Sequence, residues 1–130
     1  MIKGIAHVAF EVTNMEEALK FYCEKLGFKK VFSIHNNDDK PWIEYIKISD
    51  GQFIELFYNG TKGPKGTYSH LCLEVEDINE IAQHLTSQGI VLDVLPKTGK
   101  DGNRQCWAKD PDGNRIEFMQ MMPDSLQKNC

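Results

Sequence analysis

The sequence lacks the features that mark several large classes of protein. It has no apolar run long enough to span a membrane, and its 15 lysine and arginine residues are scattered along the chain without forming a basic patch. The N-terminus carries neither the long apolar stretch nor the cleavage site of a secretory signal. These absences argue against a membrane or nucleic-acid partner and predict a cytoplasmic location.

Common catalytic and metal-binding motifs are also missing. The four cysteines form no Cys-x-x-Cys pair, no glycine-rich segment matches a phosphate-binding loop, and no serine stands in a nucleophile elbow. Cys72 lies in an apolar alternation and is predicted to be a small buried side chain. The function must therefore depend on another set of residues.

The composition is that of a soluble globular protein. Of the 130 residues, 41% are hydrophobic and 26% are charged, and the formal net charge is −4. A chain of this length forms one domain and buries a core without disulfides. We expect a single domain over residues 1–130.

An internal repeat divides this domain. Residues 7–17 resemble residues 70–80 at an offset of 63, and residues 50–55 resemble residues 112–117 at an offset of 62. A slip of one residue near Gly27 and Gly89 reconciles the two offsets. The repeat predicts two modules, 1–62 and 63–130, joined by the glycine-rich segment 60–66.

Each module has the pattern β-α-β-β-β. Alternating apolar residues predict strands over 5–12 and 68–75, each followed by an amphipathic helix that Asn14 or Asp77 can cap. Three shorter strands then follow in each module, over 29–34, 42–48 and 52–58 in the first and 91–95, 104–109 and 114–119 in the second. The predicted fold is α+β, with two tandem βαβββ modules forming a curved, barrel-like mixed sheet with helices on the outside.

Strand alternation places one histidine and one glutamate of each module opposite the aliphatic face of its sheet. The residues are His7 and Glu55 in the first module and His70 and Glu117 in the second. A lone strand histidine or glutamate is more often structural or solvated, but recurrence in both modules favours a shared role. Imidazole and carboxylate bind divalent first-row metals. The other histidines, His35 and His84, have no counterpart in the repeat.

Four segments are similar to the vicinal oxygen chelate superfamily, also called the glyoxalase/bleomycin resistance/dioxygenase fold. They are residues 7–12 (HVAFEV), 21–28 (FYCEKLGF), 69–75 (SHLCLEV) and 110–118 (DPDGNRIEF). The resemblance covers nearly the whole chain. A ligand set of His, Glu, His and Glu resembles the glyoxalase I (lactoylglutathione lyase) branch, whereas other branches of the superfamily use fewer or different ligands.

The resemblance implies a lyase that isomerises the hemithioacetal of a thiol with methylglyoxal, or with a related 2-oxoaldehyde, through an enediolate. A divalent metal would be held by His7, Glu55, His70 and Glu117, with Ni or Co favoured over Zn, Mn or Fe. Glu117 would move the proton and Glu55 would be its pseudo-symmetric catalytic partner, although the two roles could be exchanged. Methylglyoxal detoxification and a homodimer that shares its sites between chains are also implied.

The resemblance also suggests how substrate is bound. Asn59 matches a residue that helps to hold the glutamyl group of glutathione, whereas Glu11 stands where glyoxalase I usually carries a carboxylate-binding arginine. If glutathione is the thiol, Lys97, Lys100 or Arg104 are the compensating cations that family position suggests. Two alternatives stay open: another metal enzyme of the superfamily, such as an epimerase, thiol transferase or dioxygenase, and a non-enzymatic small-molecule binding or resistance protein.

Overall fold

The computed structural model describes Met1, residues 5–61, Gly66 and residues 68–130. The chain divides into two compact units, Met1–Pro64 and Lys65–Cys130. Most of the joint predicted over residues 60–66 lies outside the described residues. None of the described helices is long and apolar enough to cross a membrane.

The elements of each unit follow the predicted order. Unit 1 contains β1 (His7–Glu11), α1 (Met15–Leu19), a π-helical segment (Lys20–Lys25), β2 (Lys29–His35), β3 (Pro41–Ser49) and β4 (Gln52–Phe57). Unit 2 contains β5 (Leu71–Glu74), α2 (Ile78–Ser87), β6 (Val94–Thr98), β7 (Arg104–Lys109) and β8 (Arg115–Gln120). The tandem βαβββ prediction and the α+β class are confirmed.

Each unit builds one four-stranded mixed sheet. The strand orders are β1-β4-β3-β2 and β5-β8-β7-β6, and in each sheet the first strand runs parallel to the last while the other neighbours are antiparallel. Among the described residues, strand pairing closes no barrel. The same topology in both units places the first and last strands of each βαβββ motif side by side.

One face of each sheet carries the core, as strand alternation predicts. In unit 1, Phe10 and Val12 of β1 are buried together with β4 residues Ile54 and Leu56, and the Phe10 ring stacks on Tyr22 of the π-helical segment. The buried residues of unit 2 include Ile78, Leu85, Cys106, Ala108, Ile116 and Phe118. Apolar burial on one face leaves the opposite face available for polar side chains.

Both helices begin at the predicted caps. Asn14 Oδ1 accepts the backbone N–H of Glu17 at 3.1 Å, and Asp77 Oδ1 accepts the backbone N–H groups of Asn79 and Glu80 at 2.8 and 3.0 Å. These bonds satisfy donors that a helix start otherwise leaves unpaired.

Helix α1 continues without a break into the π-helical segment, and together they are one residue longer than α2. Gly27 follows Asn14 by 13 residues, whereas Gly89 follows Asp77 by 12, and both glycines adopt the positive φ of a helix C-terminus. The extra residue lies in the π-helical segment, where the Leu26 N–H reaches the carbonyl of Phe21 five residues back. The one-residue slip of the repeat is therefore absorbed inside the first helix.

The sixth strand is displaced from its predicted position. The sequence predicts residues 91–95, but β6 covers Val94–Thr98 because pairing with β7 starts only at Asp93, whose N–H donates to the Trp107 carbonyl at 2.8 Å. The strand runs through Pro96, which lacks an N–H. An edge strand tolerates proline because one side of it needs no ladder partner.

Candidate metal centre

His7 and Glu55 form the first of two histidine–carboxylate pairs. His7 Nε2 lies 3.3 Å from Glu55 Oε2. The Glu55 side chain is 9% exposed and that of His7 is 44% exposed. The pair therefore has a nearly buried carboxylate behind an accessible imidazole.

Strand register produces this contact. β1 runs parallel to β4 with Ala9 opposite Glu55, so that His7 reaches the carboxylate diagonally across the pair. On the other side of β4, Tyr45 of β3 is directly opposite Glu55. The three side chains share one face because strand residues two apart point the same way.

Tyr45 fixes the Glu55 carboxylate. The Tyr45 hydroxyl donates a hydrogen bond to Glu55 Oε1, which leaves Oε2 for His7. The pKa of Tyr45 is raised, mainly because its hydroxyl donates to Glu55. Its ring also stacks on Phe32, with the ring centres 4.2 Å apart.

His70 and Glu117 form the second pair. His70 Nε2 lies 3.2 Å from Glu117 Oε2, and the side chains are 33% and 12% exposed. Ser69 Oγ lies 2.9 Å from His70 Nδ1. When Nδ1 carries the proton and donates to Ser69, the Nε2 lone pair is left to bind a metal ion together with Glu117.

The surroundings of the second pair differ from those of the first. Trp107 replaces Tyr45 opposite the glutamate, and its ring meets the His70 ring in an edge contact with centres 4.7 Å apart. The Trp107 indole N–H donates to Gln105 Oε1 at 2.6 Å. Glu117 thus receives no phenol hydrogen bond of the kind that holds Glu55.

Cys72 differs from the sequence prediction, which makes it a small buried side chain. It is exposed and not buried, and it lies directly opposite Glu117 in the β5–β8 register. Partial desolvation of the sulfur, followed by the nearby Glu117 carboxylate, raises the pKa of Cys72 to about 12. Strand alternation places Cys72 on the same face as His70, so the sequence predicts its face correctly, whereas the prediction that it is buried is wrong.

A hydrogen-bonded turn leads into the strand that carries Glu117. Asp110 Oδ1 accepts the backbone N–H groups of Asp112 and Asn114 at 2.9 and 2.8 Å, and its Oδ2 accepts from the Asn114 amide at 2.7 Å. Gly113 completes the turn at φ 81°. Asp110 and Asn114 are buried, so this turn fixes where β8 begins.

A second buried carboxylate lies on the opposite face of the unit 1 sheet. Glu44 is 3% exposed, accepts a hydrogen bond from the Tyr58 hydroxyl at 2.8 Å and another from the Ser33 hydroxyl, and pairs with Lys30 Nζ at 3.0 Å. Desolvation opposes ionisation, but these three partners together lower the pKa of Glu44. The cluster stabilises the sheet and is separate from the His7–Glu55 pair.

The predicted substrate-binding residues occupy different surroundings. Glu11 is exposed on β1, on the same face as His7. Asn59 follows β4 at a positive φ of 64°, a conformation that asparagine adopts more readily than most residues. Both therefore lie in the unit that holds the first pair.

The three predicted cations of unit 2 are not grouped together. Lys97 of β6 pairs in register with Gln105, and Lys100 is exposed beyond the end of β6. Arg104 alternates with Gln105 and Trp107 and points to the other face of β7, where its buried Nε has no hydrogen-bond partner among the described residues. Of the three, the β7 register places only Lys97 on the Trp107 face.

The four predicted ligands thus appear as two pairs, His7 with Glu55 and His70 with Glu117. Among the described residues, no three His, Cys, Asp or Glu side chains gather into a group that could hold a metal ion. Two ligands bound to one ion at about 2.0–2.2 Å and at about 90–109° are about 2.8–3.6 Å apart. The separations of 3.3 and 3.2 Å fit that range, so each pair has the donor types and spacing of half a metal shell.

Comparison with known families agrees with this topology. Residues 4–118 match the family model described as the Glyoxalase/Bleomycin resistance protein/Dioxygenase superfamily. The chain belongs to this superfamily. Its two βαβββ units and their paired first and last strands are therefore the glyoxalase fold.

Relatives within the superfamily carry lyase names. The chain is 28% identical over 124 residues to a lactoylglutathione lyase of Haemophilus influenzae, covering 89% of this chain and 91% of the relative. It is 29% identical over 129 residues to a lactoylglutathione lyase of Neisseria meningitidis serogroup A, with 89% of each chain covered. A glyoxalase family protein from Enterococcus faecalis matches with a TM-score of 0.77 and 28% identity over 90% of this chain and 97% of that one.

Sequence reasoning missed several neighbours of the two pairs in this glyoxalase-superfamily chain. Tyr45 and Trp107 sit at equivalent positions of the repeat, which alone would have marked both as neighbours of the glutamates. Arg115 lies two residues before Glu117 and so shares its face. The contact of Arg115 with Trp107, by contrast, depends on side-chain conformation and has no signal in the sequence.

Proposed function

We propose that this chain is a metal-dependent glyoxalase I-like lyase that isomerises the hemithioacetal of a thiol with methylglyoxal or a related 2-oxoaldehyde. The observation that carries the proposal is the recurrence of a histidine–carboxylate pair, at 3.3 and 3.2 Å, in both modules. Lactoylglutathione lyase names among relatives that match most of the chain support it. The proposed role is methylglyoxal detoxification in the cytoplasm.

The proposed ligands of one divalent ion are His7, Glu55, His70 and Glu117. Two imidazoles and two carboxylates form a mixed shell that suits Ni or Co, and also Zn, Mn or Fe. Such an ion supplies Lewis acidity, which stabilises the negative charge that develops on adjacent substrate oxygens. Coordination needs neutral imidazole and ionised carboxylate, so binding should weaken at acid pH.

In the proposed reaction, Glu117 takes the proton from one substrate carbon and returns it to the neighbouring carbon. Glu55 is better suited to a fixed role because the Tyr45 hydroxyl donates to its Oε1, which leaves Oε2, on the His7 side, for the ion. Among the residues described, no phenol donates to Glu117, which pairs with His70 and lies beside the weakly acidic thiol of Cys72. This difference supports Glu117 as the proton carrier and Glu55 as its catalytic partner.

Metal analysis of the purified protein tests the ligand set. We expect about one divalent ion per chain, lost in His7→Ala and in His70→Ala. His35→Ala is the matched control, because His35 also pairs with a carboxylate, Asp39 at 3.1 Å, but lies exposed at the end of β2 without a counterpart in the repeat. Full metal content in both ligand variants would contradict the site.

Turnover is tested with methylglyoxal and a series of thiols, by following the ultraviolet absorbance of the thioester product. Metal with lyase turnover would support the proposal. Metal without it would point to another enzyme of the superfamily, such as an epimerase, a thiol transferase or a dioxygenase. Neither metal nor turnover would point to a small-molecule binding protein.

We further propose a homodimer, as the family resemblance implies. If His7 and Glu55 of one chain join His70 and Glu117 of another, mixing His7→Ala with His70→Ala chains restores one intact site in each mixed dimer. After subunit exchange, about a quarter of wild-type turnover should return, because half of the dimers are mixed. No recovery, or an active monomer, would place all four ligands in one chain.

A further inference from the structure

Trp107 holds a cation beside the His70–Glu117 pair. The Arg115 guanidinium carbon lies 4.5 Å from the centre of the Trp107 ring, and the same ring makes an edge contact with His70 at 4.7 Å between centres. Arg115 and Glu117 are two residues apart on β8, so they share a face of the sheet. A permanent positive charge therefore lies next to the second pair.

The position of this charge is fixed from three sides. The Trp107 indole N–H donates to Gln105 at 2.6 Å, which sets the orientation of the ring. The Arg115 carbonyl accepts the Tyr68 hydroxyl at 3.0 Å, which anchors the start of β8. Stacking on the indole then restricts the guanidinium itself. A side chain that is already ordered loses less entropy when it binds a ligand.

The stacked guanidinium retains its hydrogen-bonding edge. Stacking uses the flat face of the group, while its N–H donors lie in the plane and match the two oxygens of a carboxylate. No described carboxylate forms an ion pair with Arg115. The donors are thus available to an anionic ligand.

Within the part of the chain that the structure describes, no cation stacks on a ring beside the first pair. At the positions equivalent to Trp107 and Arg115, unit 1 carries Tyr45 and Phe53, whose rings meet in an edge contact at 6.4 Å. Glu11 on β1 and its repeat equivalent Glu74 on β5 are both exposed carboxylates, so they do not distinguish the two pairs. The stacked guanidinium of Arg115, where unit 1 has Phe53, therefore favours an anionic group beside His70 over one beside His7.

We propose that Arg115, ordered by Trp107, is the carboxylate-binding residue of this site, and that the thiol part of the substrate carries a carboxylate. The inference deepens the proposed lyase function and rests on it for the substrate, whereas the binding of a carboxylate can be measured without turnover. Arg115 thereby joins Lys97, Lys100 and Arg104 as a candidate source of the compensating cation.

The test compares the hemithioacetals of methylglyoxal with 3-mercaptopropionate and with its methyl ester, which differ in one charge. Binding is followed by Trp107 fluorescence in a Trp42→Phe background, which leaves a single tryptophan, and turnover is followed in parallel. Arg115→Gln should weaken binding, and raise KM, for the carboxylate compound by about tenfold to a hundredfold, with the ester and kcat nearly unchanged. Arg115→Lys should recover part of the loss because it keeps the charge but not the planar fork.

Lys109→Gln is the matched control. Lys109 lies opposite Arg115 in the β7–β8 register and has its own partner, Asp93 at 3.8 Å. The substitution therefore removes a neighbouring cation without touching Arg115. It should leave the preference for the carboxylate compound intact.

The outcomes separate the two proposals. Selective binding that Arg115→Gln abolishes, without turnover of either compound, would support the inference and reject the lyase function. Turnover of both compounds with no preference in the wild type, or equal losses for both in Arg115→Gln, would overturn the inference and keep the lyase. A preference that Lys109→Gln removes as fully as Arg115→Gln would also overturn it, because general surface charge would then be the cause.

Discussion

Removing the Tyr45 hydroxyl should weaken metal binding without unfolding the protein. Tyr45→Phe keeps the ring and its stacking on Phe32 at 4.2 Å, and it deletes only the hydrogen bond to Glu55 Oε1. The Glu55 carboxylate, which is 9% exposed, then loses its main fixed donor and can rotate away from His7.

The size of the effect follows from the role of that bond. Hydrogen bonds that orient a metal ligand are typically worth about tenfold to a hundredfold in metal affinity, which corresponds to about 1.4 to 2.7 kcal/mol. We expect a loss in this range for Tyr45→Phe. The loss should be smaller than that of Glu55→Ala, which removes the ligand itself.

Tyr58→Phe is the matched control. It deletes another phenol–carboxylate hydrogen bond, to Glu44 at 2.8 Å, in the same sheet but on the opposite face. It should lower the free energy of unfolding and leave metal affinity unchanged. Competition titration with a chromogenic chelator gives the affinities, and urea denaturation of the metal-free proteins gives the stabilities. Wild-type metal affinity in Tyr45→Phe, or an equal loss in Tyr58→Phe, would refute the reasoning.

Three further predictions concern individual carboxylates. Glu117→Gln should retain the fold and some metal but lose about two to four orders of magnitude in kcat. Glu55→Gln should lose less. A metal-loaded Glu117→Gln enzyme with a near-normal rate would show that Glu117 is not the base. Glu44→Gln should lower the free energy of unfolding at pH 7 by about 2 kcal/mol, since Lys30 is partly exposed. Because the pKa of folded Glu44 is lowered, the stability difference between wild type and Glu44→Gln should be fully present above the ordinary carboxyl pKa of 4.5 and shrink at lower pH. Urea denaturation between pH 7 and 3 measures this, and a difference that stays constant with pH would contradict the prediction. Glu11→Arg should raise kcat/KM for the glutathione adduct by about fivefold or more, because it replaces a carboxylate that repels the glutathione carboxylate with a cation. Robust wild-type turnover that this change does not affect would contradict repulsion between Glu11 and glutathione.

The two donor pairs are the part of the candidate centre that the sequence predicts best. Strand alternation assigns a face to His7, Glu55, His70 and Glu117, and the repeat shows that the same types recur in both modules. Parallel pairing of the first and last strands then brings each histidine to its glutamate. These inferences need only local periodicity and an internal comparison, so they succeed without knowledge of long-range packing.

Other features depend on contacts that one sequence does not specify. The bond from Tyr45 to Glu55 and the stacking of Arg115 on Trp107 require particular rotamers on neighbouring strands. The start of β6 depends on where β7 offers its first partner, and not on the apolar run that begins at Ile90. The prediction that Cys72 is buried is wrong because it rests on the usual burial of free cysteine, whereas strand alternation places Cys72 on the polar face.

The π-helical segment makes the first helix a place where chain length can change without cost to the sheet. Asn14 and Gly27 keep their capping roles on either side of the additional residue, so the strands before and after the helix keep their frame. Deleting exposed Glu24 should accordingly give a helix of the same length as that of the second module, with His7 still in reach of Glu55. Homologous chains that differ by one residue between these two capping positions are then best aligned with the gap inside the helix, where it leaves every candidate ligand in register.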